Sequence, residues 1–323
     1  MGIALTLFYV SAHNMGLPML AIRNGARDEP RSAVGWGTLM PRADQVTEVC
    51  AHHGEGPVWD ADAARLWWVD MLRGDVLGWV PGEDVVRLTV STVAAAVRPR
   101  SRGGLVVAVE RGFALVEPNG DVTVLAPLWD DETVRMNDGG CDRQGRFYCG
   151  SMAYDEAPGR GSLFRLDPDG STHTVFTGVT ISNGIVWNAE GDTVYYVDSP
   201  THRIDAFDFD PETANFSARR TVVELPPELG MPDGLTLDSE GGLWVALWGG
   251  GAVHRYTPTG TLDEVIEVGP SRVTSCAFGG ADLTDLYITT SRQGVPEGEQ
   301  PGAGALFHCR PGVRGLPTPT FAG

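Results

Sequence analysis

The sequence predicts an all-β fold, a six-bladed β-propeller with four-stranded blades, and three observations carry that prediction. A short β-prone tetrad recurs six times: Leu66-Trp67-Trp68-Val69, Leu105-Val106-Val107-Ala108, Phe147-Tyr148-Cys149-Gly150, Val194-Tyr195-Tyr196-Val197, Leu243-Trp244-Val245-Ala246 and Leu286-Tyr287-Ile288-Thr289. Successive tetrads start 39, 42, 47, 49 and 43 residues apart, the length of chain that a propeller blade occupies. Glycine (42) and proline (22) supply nearly one residue in five of the 323. No helical periodicity is sustained over several turns, so short strands joined by turns are favoured.

The first forty residues stand apart. Met1 to Val10 is apolar, but it lacks a basic n-region and a small-residue cleavage site, and it is too short to span a bilayer. From Ala21 to Arg42 the composition turns to Arg, Gly, Asp and Pro without periodicity. Residues 1–43 are therefore expected to be a disordered extension arising from an upstream start codon, with Met40 as the candidate true start, and 44–323 to form the propeller. Removing residues 1–39 should leave the melting temperature unchanged. A drop of more than about 4 °C in thermal unfolding would contradict this.

Within the propeller segment, Gln144-Gly145, Glu190-Gly191-Asp192 and Glu240-Gly241-Gly242 are turn signals ahead of tetrads. Further strands ending in turns follow, as at Val253 to Gly260 and Leu163 to Gly170. The Asp167-Pro168-Asp169-Gly170 step lacks the spaced ligands and distal Glu of an EF-hand and reads as a hairpin turn. The segment Val46 to Ala51 is expected to pair with Leu306 to Cys309, closing the ring and removing a sheet edge.

Ten or eleven residues before the tetrads stand Glu55, Asn137, Asn183 and Asp233, from blades one, three, four and five. Each is followed five residues later by Asp60, Asp142, Asn188 or Asp238. Blades two and six carry Ala95 and Ser275 near that register. Equivalent positions of a rotationally repeated fold lie on one ring around its axis, so four blades should aim oxygen-bearing side chains at one place. An Asn-Gly or Asp-Gly step alone reads as a tight turn; four in register ahead of apolar strands favour the ring. Two carboxylates and two amide oxygens suit a hard divalent cation, chiefly calcium, magnesium or manganese. Zinc would lack its preferred thiolate or imidazole ligands.

The formal net charge of −18 argues against nucleic acid or an anionic membrane as partner, since both need a basic face. Cys50, Cys141, Cys149, Cys276 and Cys309 are odd in number, scattered, and form no CxxC pair. Reduced thiols packed in a cytoplasmic protein are expected, with Cys141 and Cys149 in the core.

The ring segments also carry a resemblance. His53-Gly54-Glu55-Gly56-Pro57-Val58-Trp59, Arg135-Met136-Asn137-Asp138-Gly139, Ser182-Asn183-Gly184-Ile185-Val186-Trp187 and Pro232-Asp233-Gly234-Leu235 resemble the regucalcin (senescence marker protein)/gluconolactonase family. So do Tyr196-Val197-Asp198-Ser199, Ile204 to Asp208, and Thr274 to Gly280, in order from about Glu48 to Cys309. The resemblance implies a six-bladed propeller with a central metal site, and a metal-dependent hydrolase that opens a sugar lactone. It assigns Glu55, Asn183 and Asp233 as metal ligands, Arg135 and Asn137 as substrate contacts, and Asp233 as acid/base. Where animal members carry two adjacent glutamates, this chain reads Ala153-Tyr154-Asp155. Asp155 is expected to take over a sugar contact with a shorter reach.

Lactone opening needs a polarised carbonyl, an activated water and a proton acceptor, which one divalent cation beside a carboxylate can supply. Nucleophilic catalysis lacks support, for there is no GxSxG elbow and no recognisable Cys–His arrangement. His52 and His53 are expected to be strand or rim residues, not ligands. Two alternatives remain from sequence: a phosphotriesterase-like or other ester hydrolase using the same ring, and a non-catalytic calcium-binding propeller.

Overall fold

Each tetrad is the second strand of a blade. The computed structural model describes residues 41–323, and among these the chain forms six antiparallel four-stranded sheets. The second strands are Arg65–Asp70, Leu105–Val109, Phe147–Ala153, Thr193–Asp198, Leu243–Trp248 and Asp285–Thr290. Neighbouring blades cover both of their faces, so Leu66, Trp68, Leu243, Trp244 and Leu286 are fully buried. Each large apolar side chain so placed contributes about 1.5–3 kcal/mol. Outer strands such as Val86–Thr89 and Val122–Val124 are largely exposed, which is why the repeat is legible in the second strand and faint at the rim.

The inner strands are Gly54–Asp60, Ala94–Pro99, Val134–Cys141, Ser182–Trp187, Met231–Leu237 and Val273–Gly279. Each packs against the next, and the sixth packs against the first. The predicted six-bladed propeller is the fold.

The residues five positions beyond the ring cap the hairpins that follow. Asp238 Oδ1 accepts the amides of Glu240 (2.9 Å) and Gly242 (2.8 Å), while Oδ2 accepts Trp244 Nε1 (2.8 Å) and Arg255 Nε (2.7 Å). Asp142 takes the amides of Gln144 and Arg146 and the Tyr148 hydroxyl in the same way. Asp60 accepts the amides of Asp62 and Ala63 and the Trp67 indole. These side chains give turn amides a partner that the ladder cannot.

Ring closure is displaced from its expected place. The closing strand is Asp44–Gln45, the outermost of blade six, with Asp44 opposite His308 and Gln45 opposite Phe307. The Val46 amide still donates to the Leu306 carbonyl (2.9 Å), but the Cys50 and Ala51 amides donate to Gly304. From Val46 onward the chain is already turning inward to enter blade one. Upstream, Ala43 is buried and its amide donates to the Glu267 carbonyl, so the propeller begins ahead of residue 44. The remainder of the expected extension lies outside the described residues.

All five cysteines are unpaired, and Cys141 and Cys149 are buried, as expected. The Gly170 amide closes onto the Asp167 carbonyl, making the expected hairpin turn. Among the described residues no helix is long and apolar enough to cross a membrane.

Candidate metal centre and substrate cavity

The ring residues are delivered by irregularities in the inner strands. In blades three, four and five the ladder breaks between Met136 and Gly139, Ser182 and Ile185, and Pro232 and Leu235. Asn137, Asn183 and Asp233 sit within those bulges. In blade one Glu55 pairs with Val69, and the break follows at once, before Val58. A bulge re-aims side chains out of the pleat, here toward the axis. The Asn-Gly and Asp-Gly steps are thus not hairpin turns. Their glycines let neighbouring inner strands touch: a Cβ on Gly184 would stand 2.8 Å from the Asp233 carbonyl oxygen, and one on Gly234 would stand 2.1 Å from Ser275 Oγ.

Strand entry is pinned in the same blades. Asp70 Oδ1 accepts the amides of His52 and His53, both at 3.0 Å, just before Glu55. Asp198 Oδ1 accepts the Ile181 amide at 2.9 Å, just before Asn183.

A hydrogen-bonded chain then orients the amides. Arg135 NH1 donates to Asn137 Oδ1 (2.7 Å), and Asn137 Nδ2 donates to Asn183 Oδ1 (2.8 Å). Asn183 Nδ2 donates to Ser199 Oγ (2.7 Å), which donates to the Pro232 carbonyl (2.6 Å). With its nitrogen committed to Ser199, Asn183 presents its oxygen.

The two carboxylates are buried, Glu55 at 3% and Asp233 at 4% exposure. Burial raises the Glu55 carboxyl well above the ordinary range, and repulsion from Asp138 adds to it; the Gly56 amide and Arg135 oppose. Burial likewise raises Asp233, reinforced by Glu55 and Asp138. Asp233 Oδ1 has no hydrogen-bond partner. Arg135, itself buried, spends NH1 on Asn137, the Met136 carbonyl and Met71 Sδ. It moderates the negative charge without ion-pairing to it.

Two clustered carboxylates, one orphaned oxygen and a correctly turned amide oxygen fit a hard divalent cation. Among the described residues no three His, Cys, Asp or Glu side chains have metal-binding geometry by themselves; the candidate set includes an asparagine.

A stability prediction follows from these carboxyls. A folded-state pKa raised above the unfolded value near 4 contributes stability that is complete below that value and is lost as pH rises through the raised one. Cation-stripped protein should therefore lose melting temperature as pH rises above the unfolded-state value and through the raised one. The loss should shrink in Glu55→Gln and when a divalent cation is added. Identical pH profiles for the wild type and Glu55→Gln would contradict it.

Five of the expected residues, Glu55, Arg135, Asn137, Asn183 and Asp233, line one cavity of about 80 Å³. Asp155 is not among them. Its exposed carboxylate accepts the Ala157 amide (3.1 Å). The strand ends at Ala153, and the turn after it brings Glu156, in a left-handed conformation (φ 57°), to the cavity wall.

His53 also lines the cavity. Its Nε2 lies 4.0 Å from a Glu55 oxygen and its Nδ1 2.7 Å from Ser291 Oγ. Burial, with Arg135 adding repulsion, pushes its pKa down to about 3, so the ring is neutral. Ser199, Trp248 and Gln293 line it too, beside the apolar Met152, Ile181 and Met231. The sequence marks none of His53, Ser199, Trp248 and Gln293 as a site residue, although Ser199 directly follows Asp198 at the end of a family-like motif. Asp138 is buried in the register where blades one, four and five carry glycine, and the repeat spacing gives it no role.

Residues 53–292 match the family described as SMP-30/Gluconolactonase/LRE-like region. Regucalcin of Oryctolagus cuniculus is 38% identical over 285 residues, covering 84% of this chain and 95% of that protein. Human regucalcin is 37% identical over 283 residues, with the same coverage. The solved structure of a calcium-binding protein, regucalcin, from Agrobacterium tumefaciens superposes with a TM-score of 0.83 at 26% identity, covering 89% of this chain and 100% of that one. With the match running from the first ring segment through the sixth inner strand, the chain belongs to the SMP-30/gluconolactonase/LRE-like family.

Proposed function

We propose that the protein is a divalent-cation-dependent hydrolase that opens a sugar lactone of the aldonolactone class. The observation that carries this reading is the orphaned, buried Asp233 Oδ1 in a carboxylate cluster that no ion pair neutralises, beside amide and guanidinium donors suited to a polyol. Glu55, Asn183 and Asp233 would hold the cation. Bound there, it supplies Lewis-acid polarisation of an ester carbonyl.

The chain's own groups do the rest. Asp233 takes a proton from the attacking water as its oxygen adds to the lactone carbonyl carbon. It returns that proton to the ring oxygen as the ester C–O bond breaks, leaving the open-chain hydroxy acid. Positioned proton transfer of this kind contributes about 10²–10⁴-fold. Asn137 both donates and accepts with sugar hydroxyls, and Arg135 donates to substrate oxygens. The partner is a small molecule; a charge of −18 does not suit nucleic acid or an anionic membrane. A cytoplasmic location fits the unpaired cysteines.

Glu156, not Asp155, is the acidic group at the cavity mouth. Glu156→Ala should raise KM for an aldonolactone more than it lowers kcat, the pattern of lost uniform binding. Asp155→Ala should change neither by more than about twofold. Steady-state kinetics of both variants check this, and the reverse ranking would refute it.

The description of the Agrobacterium protein as calcium-binding favours calcium as the ion and keeps a purely calcium-binding role as the second reading. A panel of five- and six-carbon aldonolactones, simple esters and a phosphotriester, run on cation-loaded protein, decides. Preference for aldonolactones supports the proposal. A phosphotriester preference moves the protein to another hydrolase class, and cation binding without turnover makes it a calcium binder.

A further inference from the structure

The inner strands all run the same way along the axis, so the cavity at their N-terminal ends has a counterpart at their C-terminal ends. That counterpart is far larger, about 590 Å³, within the range of small-molecule sites. It is bounded by the second halves of the inner strands and their hairpins, from Gly139 to Gly145 in blade three and Ile185 to Ala189 in blade four. Volume alone would choose it over the ring cavity, but Glu55, Asn183 and Asp233 do not reach it, so it is a separate site.

Its charged lining is Arg98, Arg143 and Asp138. Arg98 NH1 donates to the Val97 carbonyl (2.6 Å), and NH2 donates to the Gly139 carbonyl. These neutral acceptors fix the guanidinium, whose charge acts on the Asp138 carboxyl beside it. Asp138 shares the cavity and accepts the Gly139 amide at 2.7 Å. Arg143 stands exposed at the mouth. Two cations against one carboxylate leave the walls net positive, in a chain of net charge −18.

The chain's C-terminal tail roofs this mouth. The Leu316 amide donates to the Leu237 carbonyl in blade five (3.2 Å), and the Phe321 amide donates to the Pro99 carbonyl in blade two (2.9 Å). Phe321 is buried in the core cluster that blades one, two and three share. Pro317 to Thr320 span the mouth between these anchors and line the cavity. The roof is thus held at both ends while its middle contributes Thr318 and Thr320 hydroxyls.

We propose that this second cavity binds a small oxyanion, the carboxylate or phosphate group of a compact organic ligand, with Arg98 as its charge partner. Arg98 lines the cavity half-buried, its NH1 and NH2 each keep a second N–H beyond the one given to a backbone carbonyl, and guanidinium geometry suits both oxyanions. The proposal does not rest on the lactonase reading, because Glu55, Asn137, Asn183 and Asp233 do not line this cavity, although Asp138 lines it and also acts on Glu55 and Asp233.

The test is calorimetric titration of the full chain, stripped of cations on a chelating resin, with inorganic phosphate and separately with succinate. The expected result is one equivalent of one or both per chain, the two arms telling phosphate from carboxylate. Arg98→Gln should weaken binding at least tenfold. Thr318→Glu, an exposed change on the roof that leaves Arg98 in place, should weaken it severalfold, and Thr318→Arg should tighten it. If Arg98→Gln does not fold, the opposed Thr318 variants decide alone. Absence of binding tighter than about 10 mM for either probe, or binding indifferent to every variant that folds, overturns the proposal.

Discussion

Asp233→Asn is expected to lower lactone turnover at least about a hundredfold even at saturating cation, while cation affinity falls only moderately. The substitution keeps size and one coordinating oxygen but removes the charge and the proton acceptor. Asp233 is the ring carboxylate with a buried oxygen that no protein group satisfies. Glu55 and Asp233 each accept the amide of the glycine that follows, but no Glu55 oxygen is both buried and unpartnered. Glu55→Gln should therefore weaken cation binding and recover much of its rate when excess cation is added. The propeller should survive both changes, because six packed blades supply the buried apolar surface. Titration of both variants with calcium, magnesium, manganese and zinc, following lactone opening, separates the roles. Near-normal turnover of Asp233→Asn at high cation would make Asp233 a ligand only, with the base elsewhere.

The largest stability effect is expected far from the site, at Asp238→Ala. Asp238 is fully buried and serves two turn amides, the indole of fully buried Trp244 and one edge of the Arg255 guanidinium. Arg255 keeps Glu240 and Asp263, so the loss falls mainly on the amides, the indole and the guanidinium Nε. Stranding buried donors of this kind costs about 3–5 kcal/mol, on the order of 10 °C in melting temperature for a domain of this size. Asp208→Ala removes an exposed partner of Arg220 and should cost less than about 1 kcal/mol. Thermal unfolding of the two variants checks the contrast. Equal shifts would mean that the hairpin cap does not hold the blade.

The fold was legible because its second strands are covered on both faces and so repeat as apolar tetrads. The ring was legible because rotational repetition turns equal spacing into equal position, which brought Glu55, Asn137, Asn183 and Asp233 to one cavity. What escaped depended on where strands stop and on contacts between blades. Asp155 does not line the cavity and Glu156 does, because the turn after Ala153 uses a left-handed Glu156 that no spacing rule announces. His53 reaches the cavity with Ser291 as its partner, a residue from another blade that nothing local identifies. The Asp and Asn residues beyond the ring repeated plainly, yet their task as hairpin caps became evident only with the amides and indoles around them. Closure moved to Asp44–Gln45 because the segment after Val46 bends toward the axis, a departure that β-propensity does not register.

A divalent cation held by Glu55, Asn183 and Asp233 is what we propose makes this propeller a lactone hydrolase. The most direct measurement is the rate of aldonolactone opening, followed by acid release, in protein stripped of cations and then titrated back with calcium, magnesium, manganese and zinc. Stripping is expected to remove the activity, about one equivalent of cation to restore it, and Glu55→Gln to require more cation for the same recovery. Undiminished opening by the stripped protein, or recovery indifferent to Glu55→Gln, would contradict it.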